Sequence, residues 1–411
     1  MPNPILLEKY ARLAVQVGAN VQKNQMVVIR TTTEAVELTR EIAKEAYAAG
    51  ASRVHVIWGD EIVSKHTYLN AADDILKEVP KWSVDQYKYY VDKGACFISV
   101  VSPIPNVLAG VSGDKMKIAA QAMAKPMKFF RDHTMGNKTQ WTIVAASNTS
   151  WATTLFPDLA PVVALEKLWD AIFNACRINI SHDPKESWER HNNYLRNNNE
   201  VLNKHNFKYL IFKNSLGTNL KVELIKDHIW AGGNEKARNG VVFNPNIPTE
   251  ESFTMPNKWG TEGIVYATKP LNYQGKIIKD FYLEFKDGKV VNFDAKEEKE
   301  ALAAILNFDP NSGYIGEIAL ISDDSPISNT DILFLNTLYD ENASCHMALG
   351  RAYPMNIKGG HDMSIDELEK LGYNNSFVHV DFMFGSSDLE VVGVKHDGSE
   401  VLVIKGGNIV L

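Results

Sequence analysis

The first half of the chain alternates between helical and strand-like patterns of apolar residues. Residues 5–18 carry apolar side chains at helical spacing and end at a glycine, and residues 26–30 form a short apolar run that is typical of a buried strand. The alternation continues with predicted helices at 33–47, 84–91 and 114–130 and predicted strands at 54–58, 95–101 and 141–145. Repeated strand, helix, strand units predict an α/β domain with a mostly parallel sheet covered on both faces.

The second half is richer in strands. Predicted strands lie at 209–212, 220–224, 277–285, 290–293, 314–321, 377–384, 389–394 and 401–404, with a helix at 296–306 and a mixed helical stretch at 331–349. Between the halves, residues 181–206 are polar and rich in asparagine, but their apolar positions have the spacing of an amphipathic helix. We therefore predict two domains: an α/β scaffold or lid at 1–200 and an α+β domain at 201–411.

Composition narrows the function classes. A chain of 411 residues with a net charge of −7 has no basic footprint for nucleic acid or for an anionic membrane. The N-terminus lacks the pattern of a secretory signal, and no apolar run reaches the roughly 18 residues of a membrane helix. Three widely spaced cysteines exclude a disulfide framework and a paired-thiolate metal site, so we expect buried thiols in a cytoplasmic protein.

A nucleotide site is not indicated in the α/β half. No predicted strand is followed by a glycine-rich phosphate loop, and the nearest candidate, residues 110–115, has the wrong spacing and follows a proline-rich loop. This absence favours the scaffold or lid interpretation of the first domain.

Candidate chemistry is concentrated in the last fifth of the chain. On the predicted strand 377–384, His379 and Asp381 share one face, whereas the residues between and around them make the other face wholly apolar. A carboxylate beside a core needs compensation, which a divalent cation such as zinc, cobalt or manganese supplies well. The alternative for this pair is the wet face of an edge strand.

Two isolated acidic sites upstream belong to the same interpretation. A proline-containing loop presents Glu250 and Glu251 just ahead of an apolar residue, and Glu317 interrupts a strand-like apolar run. The alternatives are a solvated helix start capped by Thr249 and a structural salt bridge of Glu317.

Several separate segments, in order, resemble the metalloaminopeptidase family of aminopeptidase T and aminopeptidase S. They are the Pro-Thr-Glu-Glu loop at 248–251, Gly-Glu at 316–317, the run from Tyr339 to Gly350, Tyr353, and His-Val-Asp at 379–381. The resemblance implies a cytoplasmic, homodimeric exopeptidase with two metal ions, commonly zinc or cobalt. It also implies a bridging role for Glu317 and the following metal ligands: Glu251, Glu317, Glu341, His346, His379 and Asp381.

This assignment agrees with the chemistry of the residues. Four carboxylates and two imidazoles suit a pair of divalent ions, among which manganese and magnesium stay possible, and such a pair can activate water for attack on a peptide carbonyl. Glu250 is our candidate general base, with a supporting or helix-capping carboxylate as its alternative. Tyr353 is the candidate hydrogen-bond donor to the tetrahedral intermediate.

Three other functions fit parts of the pattern. A metallohydrolase acting on another small amide would use the same ligands. A glycosidase could use Glu251 and Glu317 without metal, and chelation would distinguish it from a metalloenzyme. A non-enzymatic binding protein would hold no metal and release no amino acids from dipeptides.

Overall fold

The computed structural model describes residues 2–273 and 276–411. Its labelled helices, in chain order, are α1 Pro4–Leu13, α2 Val36–Ala48, α3 Glu61–Asn70, α4 Asp73–Lys77, α5 Lys81–Asp92, α6 Gly113–Ala124, α7 Lys128–Met135, α8 Thr149–Leu155, α9 Pro161–Ala175, α10 Pro184–His205, α11 Lys299–Leu306, α12 Thr337–Asp340 and α13 Ile365–Leu371. None of these described helices combines the length and apolar character that a membrane crossing requires.

The strands, numbered in the same way, are β1 Met26–Thr32, β2 Arg53–Gly59, β3 Cys96–Val101, β4 Trp141–Ala145, β5 Phe207–Lys213, β6 Asn219–Leu224, β7 Glu235–Lys236, β8 Val242–Phe243, β9 Ser252–Thr254, β10 Pro256–Tyr266, β11 Leu271–Tyr273, β12 Lys276–Lys286, β13 Lys289–Glu297, β14 Ile315–Leu320, β15 His346–Gly350, β16 His379–Met383, β17 Glu390–Lys395, β18 Glu400–Lys405 and β19 Asn408–Ile409.

The chain divides into two compact units. The first contains residues 1–190 and 234–248, and the second contains residues 191–233 and 249–411. The division differs from the one we predict at residue 200, because it falls inside α10 and returns residues 234–248 to the first unit. Backbone hydrogen bonds explain the return: Ile143 on β4 donates to Pro245 at 2.8 Å and accepts from Ile247 at 3.0 Å.

The first unit is built on a parallel sheet, as the alternating pattern predicts. Its four strands lie in the order β2-β1-β3-β4, and every pairing among them is parallel. Strands β1 and β3 are apolar runs and are buried, because helical crossovers cover both faces of a parallel sheet. The predicted helix at 114–130 is two helices, α6 and α7, and Pro126 lies in the break between them.

The second unit is dominated by antiparallel sheets. One large sheet has the order β11-β12-β10-β6-β5-β17-β18-β19, with β13 also paired to β12, and a separate four-stranded sheet has the order β16-β15-β14-β9. The predicted hairpin turn at 286–288 joins β12 to β13. The main apolar core of the unit is formed by residues from both sheets and from α11.

One predicted element is wrong in this unit. The sequence indicates a mixed helical stretch at 331–349, but only α12 and a short 3-10 turn at Glu341–Ala343 are helical there, and His346–Gly350 is the fully buried strand β15. Histidine, methionine, alanine and leucine are acceptable helix formers, so local preference favours a helix. Pairing of β15 with strands on both sides overrides that preference.

Candidate metal centre

The four-stranded sheet of the second unit collects the candidate ligands on one face. Glu317 on β14 is paired with Ala348 on β15, which is paired with Asp381 on β16. In the next row, Ala319 is paired with His346, and Phe253 on β9 is paired with Ala319. Paired residues of antiparallel strands and residues two apart along a strand point to the same face, so one face carries the following donors: Glu317, His346, His379, Asp381 and, two residues before Phe253, Glu251.

The opposite face of this sheet is apolar, as predicted for the strand at 377–384. Met347, Leu349, Val380 and Phe382 all belong to the main core of the unit. The strand therefore divides sharply into a polar and an apolar face. β16 is the edge strand of this sheet, as the edge-strand alternative for His379 and Asp381 requires, but both side chains are only partly exposed and lie in one donor group with the buried Glu317.

Small residues leave room for the donors. Ala348 lies between Glu317 and Asp381, and Gly350 lies opposite His379, so the central strand places no bulky side chain in this part of the polar face. The register shifts at Gly316, where any side chain would overlap the carbonyl oxygen of Gly350. Glycine at 316 thus permits the close backbone approach that precedes Glu317.

Two groups of donors meet at Glu317. One group is Glu251, Glu317 and His346, the other is Glu317, His379 and Asp381, and within each group one donor atom per residue lies within 4.8 Å of the others. His346 Nε2 is 3.4 Å from Glu251 Oε2 and 3.4 Å from Glu317 Oε1. His379 Nε2 is 3.8 Å from the other oxygen of Glu317 and 3.3 Å from Asp381 Oδ1. The two oxygens of Glu317 therefore face different groups.

Both imidazoles are oriented by backbone carbonyls. Nδ1 of His379 donates to the carbonyl oxygen of Arg351 at 2.7 Å, and Nδ1 of His346 lies 3.4 Å from the carbonyl oxygen of Ser344. These contacts direct Nε2 of each ring toward the carboxylates. Holding one ring nitrogen in this way is the usual arrangement of a metal-binding histidine.

Glu341 and Tyr353 lie beside the two groups. Glu341 belongs to neither, but its carboxylate interacts electrostatically with Asp381, Glu251 and Glu317. The Tyr353 ring lies 4.9 Å from the His379 ring, between ring centres, and feels the charges of the same carboxylates. Burial raises the pKa of Tyr353 well above its usual value, so the phenol keeps its proton and remains a donor.

The pKa shifts of the residues in the cluster show that it has too little positive charge for its carboxylates. Burial, followed by the charge of Glu317, raises the pKa of Glu251 to about 8, and burial, followed by the charge of Asp381, raises the pKa of Glu341 well above its usual value. Burial alone would lower the pKa of both histidines, but the neighbouring carboxylates raise that of His346 to about 9 and that of His379 to about 10. The donors thus hold extra protons where cations would otherwise balance them.

This donor set fits divalent metal ions. Four carboxylates and two imidazoles, without a thiolate, are ligands that zinc, cobalt and manganese accept. Glu317 is only 5 % exposed, so its charge cannot be balanced by water and calls for cations in contact. The partners that the salt-bridge alternative requires for Glu317 are present as His346 and His379, at 3.4 Å and 3.8 Å, and both histidines are themselves candidate metal donors.

Glu250 is held differently from its neighbour. It lies in a loop that leads into β9, so the capped-helix alternative for this segment is rejected. Its backbone N–H donates to Asn342 Oδ1 at 2.7 Å, and its Oε2 lies 3.8 Å from Nε2 of His191, which donates to the carbonyl oxygen of Thr249 at 2.7 Å. The sequence does not predict the roles of His191 and Asn342, because neither residue has a local pattern that links it to this loop.

Cys345 is not a nucleophile. The three cysteines are free and buried, as predicted. Burial raises the pKa of the Cys345 thiol to about 12, and its sulfur makes contacts of 3.3 Å with the backbone of Ile321. A thiol in this environment stays protonated and unreactive.

Comparisons with known proteins agree with this geometry. Residues 5–409 match the family described as thermophilic metalloprotease (M29). Aminopeptidase 2 of Geobacillus stearothermophilus is 41% identical over 402 residues, covering 98% of this chain and 97% of the relative. Aminopeptidase AmpS of Bacillus subtilis is 40% identical, with 98% of each chain covered.

A solved structure has the same fold. Wild-type AmpT from Thermus thermophilus superposes with a TM-score of 0.92 at 36% sequence identity, covering 99% of both chains. These matches confirm the resemblance that the separate sequence motifs indicate. This chain belongs to the thermophilic metalloprotease family M29.

Proposed function

We propose that this chain is a metal-dependent aminopeptidase that releases N-terminal amino acids from short peptides, with its catalytic centre in the second unit. Two divalent cations would be held by these residues: Glu251, Glu317, Glu341, His346, His379 and Asp381. The observation that carries the proposal is the position of Glu317, whose two oxygens face the two separate donor groups. A carboxylate in this position suits a bridging role between two cations.

The chemistry of the proposal is hydrolysis. When bound, a pair of divalent cations lowers the pKa of water and polarises a peptide carbonyl group. Glu250 is the proposed general base. The backbone at this position is fixed, because His191 donates to the carbonyl oxygen of Thr249 and the N–H of Glu250 donates to Asn342. Tyr353, which keeps its proton, is the proposed hydrogen-bond donor to the oxygen that becomes negative as the peptide carbonyl is attacked.

A direct contact to the amino group supplies a reason for cleavage at the N-terminus. Two divalent cations would balance the four carboxylates of the pocket, so we infer that the free α-amino group is held by one carboxylate or one metal ion rather than by a net negative charge. An internal peptide bond has no free amino group to place there. We therefore expect a peptide with a blocked amino group to be a poor substrate.

Zinc or cobalt is the proposed metal, because oxygen and imidazole donors without thiolate suit these ions, and manganese or magnesium stays possible. A homodimer in the cytoplasm stays a prediction from the family resemblance. Native mass spectrometry tests the oligomeric part, and a stable, fully active monomer would contradict it.

The function is tested by metal analysis combined with activity on a panel of dipeptides, amino-acid amides and N-acetylated dipeptides. We expect bound metal in the purified protein, release of the N-terminal residue from free dipeptides, loss of activity after chelation and its return with zinc or cobalt. Cleavage confined to simple amides would favour the metallohydrolase alternative. Full activity after complete metal removal would contradict the proposal.

A further inference from the structure

The parallel sheet of the first unit has a polar feature that includes none of the candidate metal ligands. Along β1, Met26, Val28 and Arg30 share a face, because side chains alternate along a strand. Met26 and Val28 belong to an apolar cluster with Tyr90 of α5 and Phe130 of α7. Arg30 follows this cluster at the carboxyl end of the strand, where an apolar residue would continue the core.

Arg30 lies at the topological switch point of the sheet. The chain runs from β1 to β2 on one side of it and then to β3 on the other side, and Arg30 is paired with Ser99 on β3. In open parallel sheets, ligands bind outside the carboxyl ends of the strands at this point, where the crossover connections diverge to opposite faces. The position of Arg30 is therefore one that the fold makes available to a ligand.

An open pocket of about 320 Å³ lies at this point. Its two cationic side chains are Arg30 and Arg131, its aromatic side chains are Tyr87 and Phe130, and the remaining lining consists of Ala120, Met123, Ala124 and Met127. No carboxylate is present among these lining residues. The volume lies at the lower end of the range for small-molecule sites.

The Arg30 guanidinium is incompletely satisfied. One terminal nitrogen donates to the Ser99 hydroxyl at 2.7 Å, the guanidinium also interacts with the Tyr87 hydroxyl, and the group lies 5.3 Å from the centre of the Phe130 ring. Its Nε is shielded from solvent and has no hydrogen-bond partner. Within the described part of the chain, no carboxylate pairs with this cation, although burial lowers the pKa of Arg30 and so makes its charge costly.

We propose that this pocket binds a small organic anion, a carboxylate attached to an aromatic or branched apolar group. The carboxylate would pair with Arg30, whose planar donors match it, while Arg131 adds charge at the rim. The apolar group would lie against Met123, Met127 and Phe130, since thioethers and aromatic rings adapt to such groups. Free amino acids are disfavoured, because their ammonium group would face two arginines without a carboxylate.

Isothermal titration calorimetry of the full chain with 3-phenylpropanoate tests the proposal. We expect saturable binding with the same affinity in metal-loaded and chelated protein, because the site does not use the metal centre. The neutral analogue 3-phenylpropanamide should bind at least about tenfold more weakly, as loss of a charge-assisted hydrogen-bonded pair predicts. Inorganic phosphate at equal concentration should not displace the probe.

Three variants complete the test. Arg30→Met should weaken binding of 3-phenylpropanoate at least about tenfold, and Ala120→Leu, which fills the pocket from the exposed side of α6, should also weaken it. Arg40→Gln removes an exposed arginine from α2 and should leave binding unchanged. Should circular dichroism show that Arg30→Met is misfolded, Ala120→Leu decides, because leucine suits a helix.

Several results would each overturn the proposal. These are absence of saturable binding to the wild-type protein, unchanged affinity in the folded pocket variants, equal affinity for the neutral amide, and displacement by phosphate. Loss of binding on chelation alone would assign the probe to the metal centre and would also overturn it.

Discussion

At the scale of single residues, Glu317 has the largest consequence. It is buried, and its two oxygens face His346 and His379 separately. Removing its charge would leave each donor group with one carboxylate fewer and would remove the only donor that the two groups share. In the proposed two-metal site, this carboxylate would link the occupancy of one position to that of the other.

Glu317→Gln should remove most activity by weakening metal binding. Loss of a residue that only supports a ligand can lower metal affinity about a hundredfold, so loss of the ligand itself should lower it at least as much. Activity should fall by at least the same factor. Bound metal measured by mass spectrometry and turnover of a dipeptide are the measurements. Glu297→Gln, which changes an exposed ion pair with Lys279, is the control and should behave as wild type. A Glu317→Gln protein with full metal and full turnover would contradict the bridging role.

Tyr353→Phe should slow turnover without removing metal. If the phenol donates a hydrogen bond to the developing oxyanion, its loss should lower kcat about a hundredfold while KM changes little. Steady-state kinetics at verified full metal occupancy measure both constants. An unchanged kcat would limit Tyr353 to packing against His379.

Glu250→Gln separates a general base from a supporting carboxylate. A base that accepts a proton in the transition state contributes about a hundredfold or more, so kcat should fall by at least that factor at full metal occupancy. The amide preserves the size of the side chain and leaves the Asn342 contact to the backbone intact. Near-normal turnover at full occupancy would reject the base assignment, and loss of metal instead would indicate a supporting role.

At the scale of elements, the metal centre depends on a strand that leaves space. The central strand β15 supplies His346 but has Ala348 and Gly350 where the side chains of Glu317, Asp381 and His379 converge. A strand of larger residues would form the same pairs and the same apolar face while closing the pocket. The spacing of small residues is therefore as much a part of the site as the donors.

Ala348→Val should close this space. Valine suits a strand, so the fold should persist, but its added methyl groups lie between Glu317 and Asp381 and should lower metal affinity. Metal titration monitored by recovered activity should show at least a roughly tenfold weaker apparent affinity. Ala295→Val, on β13 of the other sheet of the same unit, is the matched control. Equal metal affinity in both variants would show that the small residue is not required.

The sequence predicts helices and strands well where the spacing of apolar residues agrees with the residues that end helices or form turns. The alternating first half, the amphipathic α10, the β12–β13 hairpin and the polar and apolar faces of β16 all follow from local patterns. Helices α8 and α9 are not among the predicted elements, although Asn148 caps the first and Pro161 begins the second. These signals are local and were available.

Other features could not be read locally. The strand β15 forms through pairing with β14 and β16. Its own residues are compatible with a helix and do not indicate this pairing. The return of residues 234–248 to the first unit depends on hydrogen bonds to β4 from residues slightly more than a hundred positions away in the chain. The contacts of His191 and Asn342 with the Glu250 loop also join residues far apart in sequence, separated by 58 and 92 positions. Patterns of apolar residues indicate Glu251, Glu317, His379 and Asp381 as candidate donors, whereas Glu341 and His346 are assigned through the family resemblance.

At the scale of the whole molecule, protons and metal ions compete for the same charge deficit. In the metal-free protein, His346 and His379 have pKa values of about 9 and about 10, above the usual 6.5, and the pKa of Glu251 is also raised. A raised folded-state pKa stabilises the fold fully below the unfolded pKa and loses that contribution as pH rises through the folded pKa. The free energy of unfolding of the chelated protein should therefore fall between about pH 5 and about pH 10.

Metal should offset this loss. Divalent ions displace the extra protons, so the metal-loaded protein should keep its stability at alkaline pH, and the increase in Tm caused by metal should be larger at pH 9 than at pH 6. Thermal unfolding of chelated and metal-loaded protein at both pH values provides the comparison. A metal-induced increase in Tm that is constant or shrinks with rising pH would contradict the charge-deficit account.

The central claim is that Glu317 joins two divalent cations in one pocket of the second unit. Anomalous X-ray diffraction from crystals of the zinc-loaded protein, measured on both sides of the zinc absorption edge, tests it most directly. The account predicts two peaks, each in contact with one oxygen of Glu317, one beside Glu251 and His346 and the other beside His379 and Asp381. A single peak that Glu317 does not contact, or no peak in this pocket, would contradict it.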